Sequence, residues 1–136
     1  MLPDAIEGEG GGPMAYVLAA LGGALGALAR WAATEAVAPS GGWPWATLLV
    51  NLTGCFLLGV LLGAVGRRSP EPSWVKPFLG VGVLGGYTTY SAFAVEVVEL
   101  VDDGALPLAA GYVLASVLGG VLAVAAGAVC AGRTAR

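Results

Sequence analysis

Asn51 is the lone amide in an apolar run, TLLVNLTGCFLLG, that extends from Thr47 to Gly59. Thr47 precedes it by four residues and Cys55 follows by four, so on a helix all three stack on one face. An amide at membrane depth must be hydrogen-bonded or face a cavity; a bond between helices that serves assembly alone is the plainer reading. A second run, GYVLASVLGG, repeats the spacing with Tyr112, Ser116 and Gly120. Taken singly, Tyr112 also suits an interfacial aromatic and Ser116 a bond to its own helix. Donors on two helix faces, with no cation among them, suit a small anion that must shed water and still leave.

Between these runs lies GGYTTYSAF, Gly85 to Phe93. Gly85 and Gly86 weaken a helix, and the hydroxyls of Thr88, Thr89 and Ser91 compete for its backbone, so the segment is predicted to unwind. Irregular backbone at that depth is tolerated only inside protein or along a cavity. Its carbonyls are then available to a cation such as Na+. Tyr90 and Phe93, three apart, project from similar faces, and aromatic ring edges carry the positive end of the quadrupole that an anion meets. Two roles fit Glu96 near the membrane boundary: a structural hydrogen bond, or a charge that shapes a vestibule.

What the chain lacks narrows the function. It has no histidine, so neither a Ser-His nucleophile nor a His-metal centre can be assembled. No GxSxG, HExxH or phosphate-binding loop is present. An enzyme is not expected. The net charge of −3, with acids mostly in tails and loops, argues against a nucleic-acid partner. Cys55 and Cys130 read as small apolar fillers inside spans rather than a disulfide.

The elements that must position these residues follow from composition. With 57% hydrophobic and 11% charged residues, the chain is an all-α membrane protein. Four stretches reach the roughly 20 residues that cross the hydrocarbon: 14–37, 45–66, 74–100 and 106–131. They form one domain, 14–131, with antiparallel neighbours. Residues 1–13 read as an acidic, disordered tail, and 132–136 as a short basic one. The 23 glycines, including the pairs Gly22 and Gly26 and Gly59 and Gly63, predict close helix packing. Such a bundle leaves little room for a pore of its own, so a route between two subunits is the default expectation. Arg67, Arg68, Lys76, Arg133 and Arg136 share the side of the termini, and Arg30 alone stands on the other. Five against one places both termini in the cytoplasm.

In GALARW (Gly26 to Trp31), TLLVNLTGCFLLG, GVLGGYTTYSAFAVE (Gly82 to Glu96) and GYVLASVLGG, the chain resembles the CrcB/Fluc fluoride channels. The resemblance spans all four helices in order. It implies an antiparallel dimer in the cell membrane, a break in the third helix, two narrow fluoride pathways, and passive export of fluoride. It further implies a structural Na+ at the dimer centre, held by the carbonyls of Gly85 and Thr88 from each subunit. Asn51, Ser91, Tyr112 and Ser116 then line the pathway, with Tyr90 and Phe93 as its aromatic pair. Arg30, Thr47, Thr89 and Glu96 occupy supporting or vestibular positions.

Three departures mark this chain. The family pattern TTFSTF is here TTYSAF, so Tyr90 gains a hydroxyl and Ala92 lacks one. Gly120 stands where a second serine is common. The charge bias adds another expectation: one insertion orientation and pairing with an oppositely oriented homologous subunit, a homodimer being the alternative. A small multidrug-resistance-type transporter is the competing class, but it requires a carboxylate within the first helix, where only the terminal Glu35 stands. A nonconducting subunit of a heterodimeric channel is the third reading.

Overall fold

The computed structural model describes residues 12–38, 42–67, 70 and 72–133. Of the expected tails at 1–13 and 132–136, residues 1–11 and 134–136 lie outside the described residues, as does Arg68, whereas Pro13 and residues 132 and 133 are helical. Four helical spans long and apolar enough to cross a membrane run Pro13–Glu35, Trp45–Val65, Lys76–Asp102 and Leu106–Gly132. The first two are α1 (Pro13–Glu35) and α2 (Trp45–Val65). Pro13 opens α1 because its missing N–H costs nothing in a first turn and its φ is already helical.

The third span is composite. It begins as a π-helix, Lys76–Leu84, passes through one α-helical turn, α3 (Gly85–Tyr87), leaves helical geometry, and resumes as α4 (Ser91–Asp102). The bend expected from sequence is therefore present, but the residues that depart from the helix are Thr88 to Tyr90, not Gly85 and Gly86. Gly86 stays helical for a packing reason: a Cβ there would sit 2.9 Å from the Cα of Gly23 in α1. The glycines bring two helices together, and the hydroxyl residues break one.

A tight turn joins α4 to α5 (Leu106–Arg133). Gly104 takes φ +74°, its N–H bonds the carbonyl of Val101 and that of Ala105 bonds Leu100, both at 2.9 Å. This is the paired closure that favours glycine just past a helix end.

The spans pack in two intimate pairs, α1 against the π-helix and α3, and α2 against α5. Both depend on absent side chains. Gly22 faces the Phe78 carbonyl and Gly26 the Val83 carbonyl. Across the other pair, Gly59 meets the Val124 carbonyl and Gly127 the Phe56 carbonyl. Lipid tails are as apolar as leucine, so these close approaches, not solvent exclusion, hold such helices together. A small core of Leu48, Leu100, Ala109 and Tyr112 joins α2, α4 and α5, with Trp43 and Phe93 packed on it. Most large apolar side chains, among them Leu25, Leu57, Leu114 and Leu122, stay exposed.

Candidate functional site

The break lies near the middle of the third span, and its freed backbone groups are met by side chains from two other helices. Thr88 is extended, with φ −76° and ψ 159°. Asn51 of α2 forms a two-point bond with the next residue: its Nδ2 donates to the Thr89 carbonyl and its Oδ1 accepts the Thr89 N–H, each at 2.8 Å. The amide thus does for one peptide what a neighbouring strand would do. Arg30 of α1 donates from a guanidinium nitrogen to the Thr88 carbonyl at 3.0 Å. Within the segment, the Thr88 hydroxyl donates to the Leu84 carbonyl at 2.9 Å, and the Thr89 Oγ1 accepts the Ala92 N–H at 3.2 Å. In an unbroken helix the N–H groups of Thr89 and Ala92 would bond the carbonyls of Gly85 and Thr88. Here both are diverted to side-chain oxygens.

Of the positions open to Arg30 from sequence, the opposite loop or a supporting or vestibular place, it takes a supporting one. It is partly buried and turned to the chain break, where a guanidinium at that depth finds an acceptor.

One helical stretch further along, Glu96 accepts two hydroxyl bonds of 2.6 Å, from Thr47 Oγ1 to Oε1 and from Tyr112 to Oε2. Such short distances are those of hydroxyls bonding a carboxylate. Of the two roles open to Glu96 from sequence, the hydrogen-bonded one is present. Thr47 and Tyr112 are both buried, Tyr112 completely. Aromatic rings continue outward from it: Phe93 at 5.2 Å and Trp43 at 5.9 Å between centroids.

A cavity of about 440 Å³ opens beside the break, with Asn51, Thr88, Thr89, Tyr90, Phe93 and Ser116 in its wall. Gly85 and Cys55 also face it. The structure therefore brings α2, the broken span and α5 to one space walled by apolar surface and a few neutral polar groups. Tyr112 and Ser91 do not line it. Tyr112 is committed to Glu96, and exposed Ser91 lies 3.3 Å from the Thr89 hydroxyl. The rings of Tyr90 and Phe93 stand 6.0 Å apart at 44°. Neither Cys55 nor Cys130 is in a disulfide.

Two features escaped the sequence reading. Tyr87 and Thr53 share a 3.0 Å hydroxyl contact between α3 and α2; the threonines of NLTG and YTT carry the only hint of it. Gly54 sits directly under the Thr88 side chain, which its spacing of three from Asn51 could have suggested.

Four membrane-length helices among the described residues, one of them interrupted beside a cavity with neutral polar groups in its wall, define a multi-pass membrane protein. The chain belongs to the CrcB family: the family model described as CrcB-like protein, Camphor Resistance (CrcB), matches residues 17–128. It is 41% identical over 116 residues to a protein of Nocardia farcinica named fluoride-specific ion channel FluC 2, covering 85% of this chain and 83% of that one. It is 40% identical over 115 residues to the fluoride-specific ion channel FluC of Bordetella petrii, covering 85% and 89%. Against the FluC of Pseudomonas fluorescens the identity is 44% over 115 residues, covering 82% and 91%. Membership in this family displaces the multidrug-transporter alternative, and the class is that of an ion channel rather than an enzyme.

Proposed function

We propose that this chain is a fluoride channel, or one subunit of one, that lets fluoride leave the cell passively. The observation that carries the reading is identity of about 40% to chains named fluoride-specific ion channels, spread over most of the chain. The cavity supports it physically. Its polar wall is made of an amide, hydroxyls and ring edges, which donate hydrogen bonds without the fixed charge that would trap an anion. Liposomes loaded with fluoride and carrying the purified protein test the proposal. Rapid efflux, selective over chloride and unaffected by a proton gradient, is expected from the chain alone or together with its homologous partner; retention of fluoride by both preparations, or equal chloride flux, would refute it.

The working unit is an antiparallel dimer. In support, much apolar surface remains uncovered within the chain, and the cavity lies open along one side of a bundle too small to enclose it. A Na+ ion at the dimer centre would be held by the Gly85 and Thr88 carbonyls of both subunits. Their neutral oxygens suit a hard cation, and diversion of their usual helical donors supports the fit, although Arg30 shares the Thr88 carbonyl. The ion would supply positive charge that fixes the two breaks against each other. Replacing Na+ by a bulky organic cation should lower the dimer fraction in detergent; an unchanged fraction would remove the ion from the assembly.

Both termini face the cytoplasm in this reading. With Arg30 turned inward, the far loops carry no base, which deepens the charge bias and favours an oppositely oriented homologous partner over a homodimer. Reporters fused to the terminus of the singly expressed chain decide between them: signal on both sides of the membrane would restore the homodimer.

A further inference from the structure

Tyr87, Tyr90 and Tyr112 all stand within the spans and away from their outer ends, and two of their hydroxyls are satisfied inside the chain. Tyr112 donates to Glu96 at 2.6 Å and Tyr87 meets Thr53 at 3.0 Å. Tyr90 has no hydrogen-bond partner among the described residues, and it is 80% exposed. Its position near the middle of the span Lys76–Asp102 puts the headgroups about 15 Å away, beyond the reach of one side chain. A phenol O–H left bare in hydrocarbon is costly, so this group requires a polar counterpart, and none lies among the described residues.

Three observations identify the counterpart. Tyr90 lies in the wall of the cavity with Asn51 and Ser116, so its ring borders the space that holds the other neutral donors. The ring is 6.0 Å from Phe93, which keeps it at the aromatic side of that wall. The Asn51 amide is largely committed, since its oxygen and one N–H are used by Thr89. The wall's hydroxyls without a hydrogen-bond partner among the described residues are then those of Ser116 and Tyr90, and of the two only Tyr90 stands on the aromatic side.

We infer that the Tyr90 hydroxyl donates directly to the permeating anion and sets how tightly the site holds it. This rests on the channel reading above and adds a specificity-determining residue to it. A donor to a charged acceptor deepens the binding well, which raises apparent affinity and slows exit. The phenol O–H therefore trades throughput for capture at low fluoride.

The test is Tyr90→Phe, which keeps the ring and removes one oxygen, measured beside the wild-type assembly in liposomes over a range of fluoride concentrations. The half-saturating concentration is expected to rise about tenfold, while the rate at saturating fluoride stays equal or increases. A general packing defect would instead lower the maximal rate. An unchanged half-saturating concentration would overturn the assignment. So would loss of the dimer with the remaining channels unaltered, because the hydroxyl would then belong to a subunit contact. Absence of fluoride flux from wild type and variant alike would overturn the channel reading itself, and this assignment with it.

Discussion

Replacing Asn51 by alanine removes two hydrogen bonds at once and releases both backbone groups of Thr89. In water such a loss would be softened by solvent; at the cavity wall it is softened only where water can enter. Interhelical hydrogen bonds in membranes are worth about 0.6 kcal/mol on average and about 1.7 kcal/mol at most. Two of them at 2.8 Å therefore predict a loss of about 1–3 kcal/mol. Asn51→Asp separates the two bonds. A carboxylate still accepts the Thr89 N–H but opposes the Thr89 carbonyl with a second oxygen, and it puts a negative charge in the cavity wall.

Unfolding in mixed detergent, followed by helical circular dichroism, gives the stability of each variant. Alanine should destabilise by the full amount. Aspartate should be no more stable than alanine, because repulsion at the carbonyl offsets the bond retained. Fluoride flux should fall for both, more steeply for aspartate. If alanine stays within about 0.5 kcal/mol of wild type, the two-point bond is not what holds the break, and the account of the third span fails.

The Glu96 cluster makes a second prediction. Tyr112→Phe strips Oε2 of its donor in a fully buried corner, a loss of about 1.5–3 kcal/mol for a bond to a charged acceptor, read in the same unfolding assay. The glycines give a third, through contrast. Gly59→Ala forces a methyl into the Val124 carbonyl and should cost about 1–3 kcal/mol as overpacking. Gly120→Ala places its methyl 3.5 Å from the Cys55 sulfur, ordinary contact, and should change stability by less than about 0.5 kcal/mol.

These predictions draw on features that were unequally visible in the sequence. The four spans were plain, because twenty apolar residues in a row have few other fates. The interruption of the third was visible as a segment, Gly85 to Phe93, but not to the residue. Glycine has two uses in a membrane, weakening a helix and admitting a neighbour, and a single sequence does not say which applies. At Gly86 the neighbour is Gly23 of α1, far away along the chain, and the helix breaks at Thr88. The π-helical winding of Lys76–Leu84 left no local signature at all. It is the stretch of the third span that packs on α1.

Polar residues followed the same division. That Asn51 or Glu96 needs a partner follows from side-chain chemistry alone; which partner does not, since Thr89 and Thr47 come from other spans. Arg30 shows how this misleads. A charge near the end of an apolar run is ordinarily counted with the loop, because hydration is the least costly fate for a guanidinium. That argument assumes no better acceptor at depth. A broken helix creates such an acceptor, the carbonyl of Thr88 at 3.0 Å, so the break and the inward arginine are one feature seen from two helices.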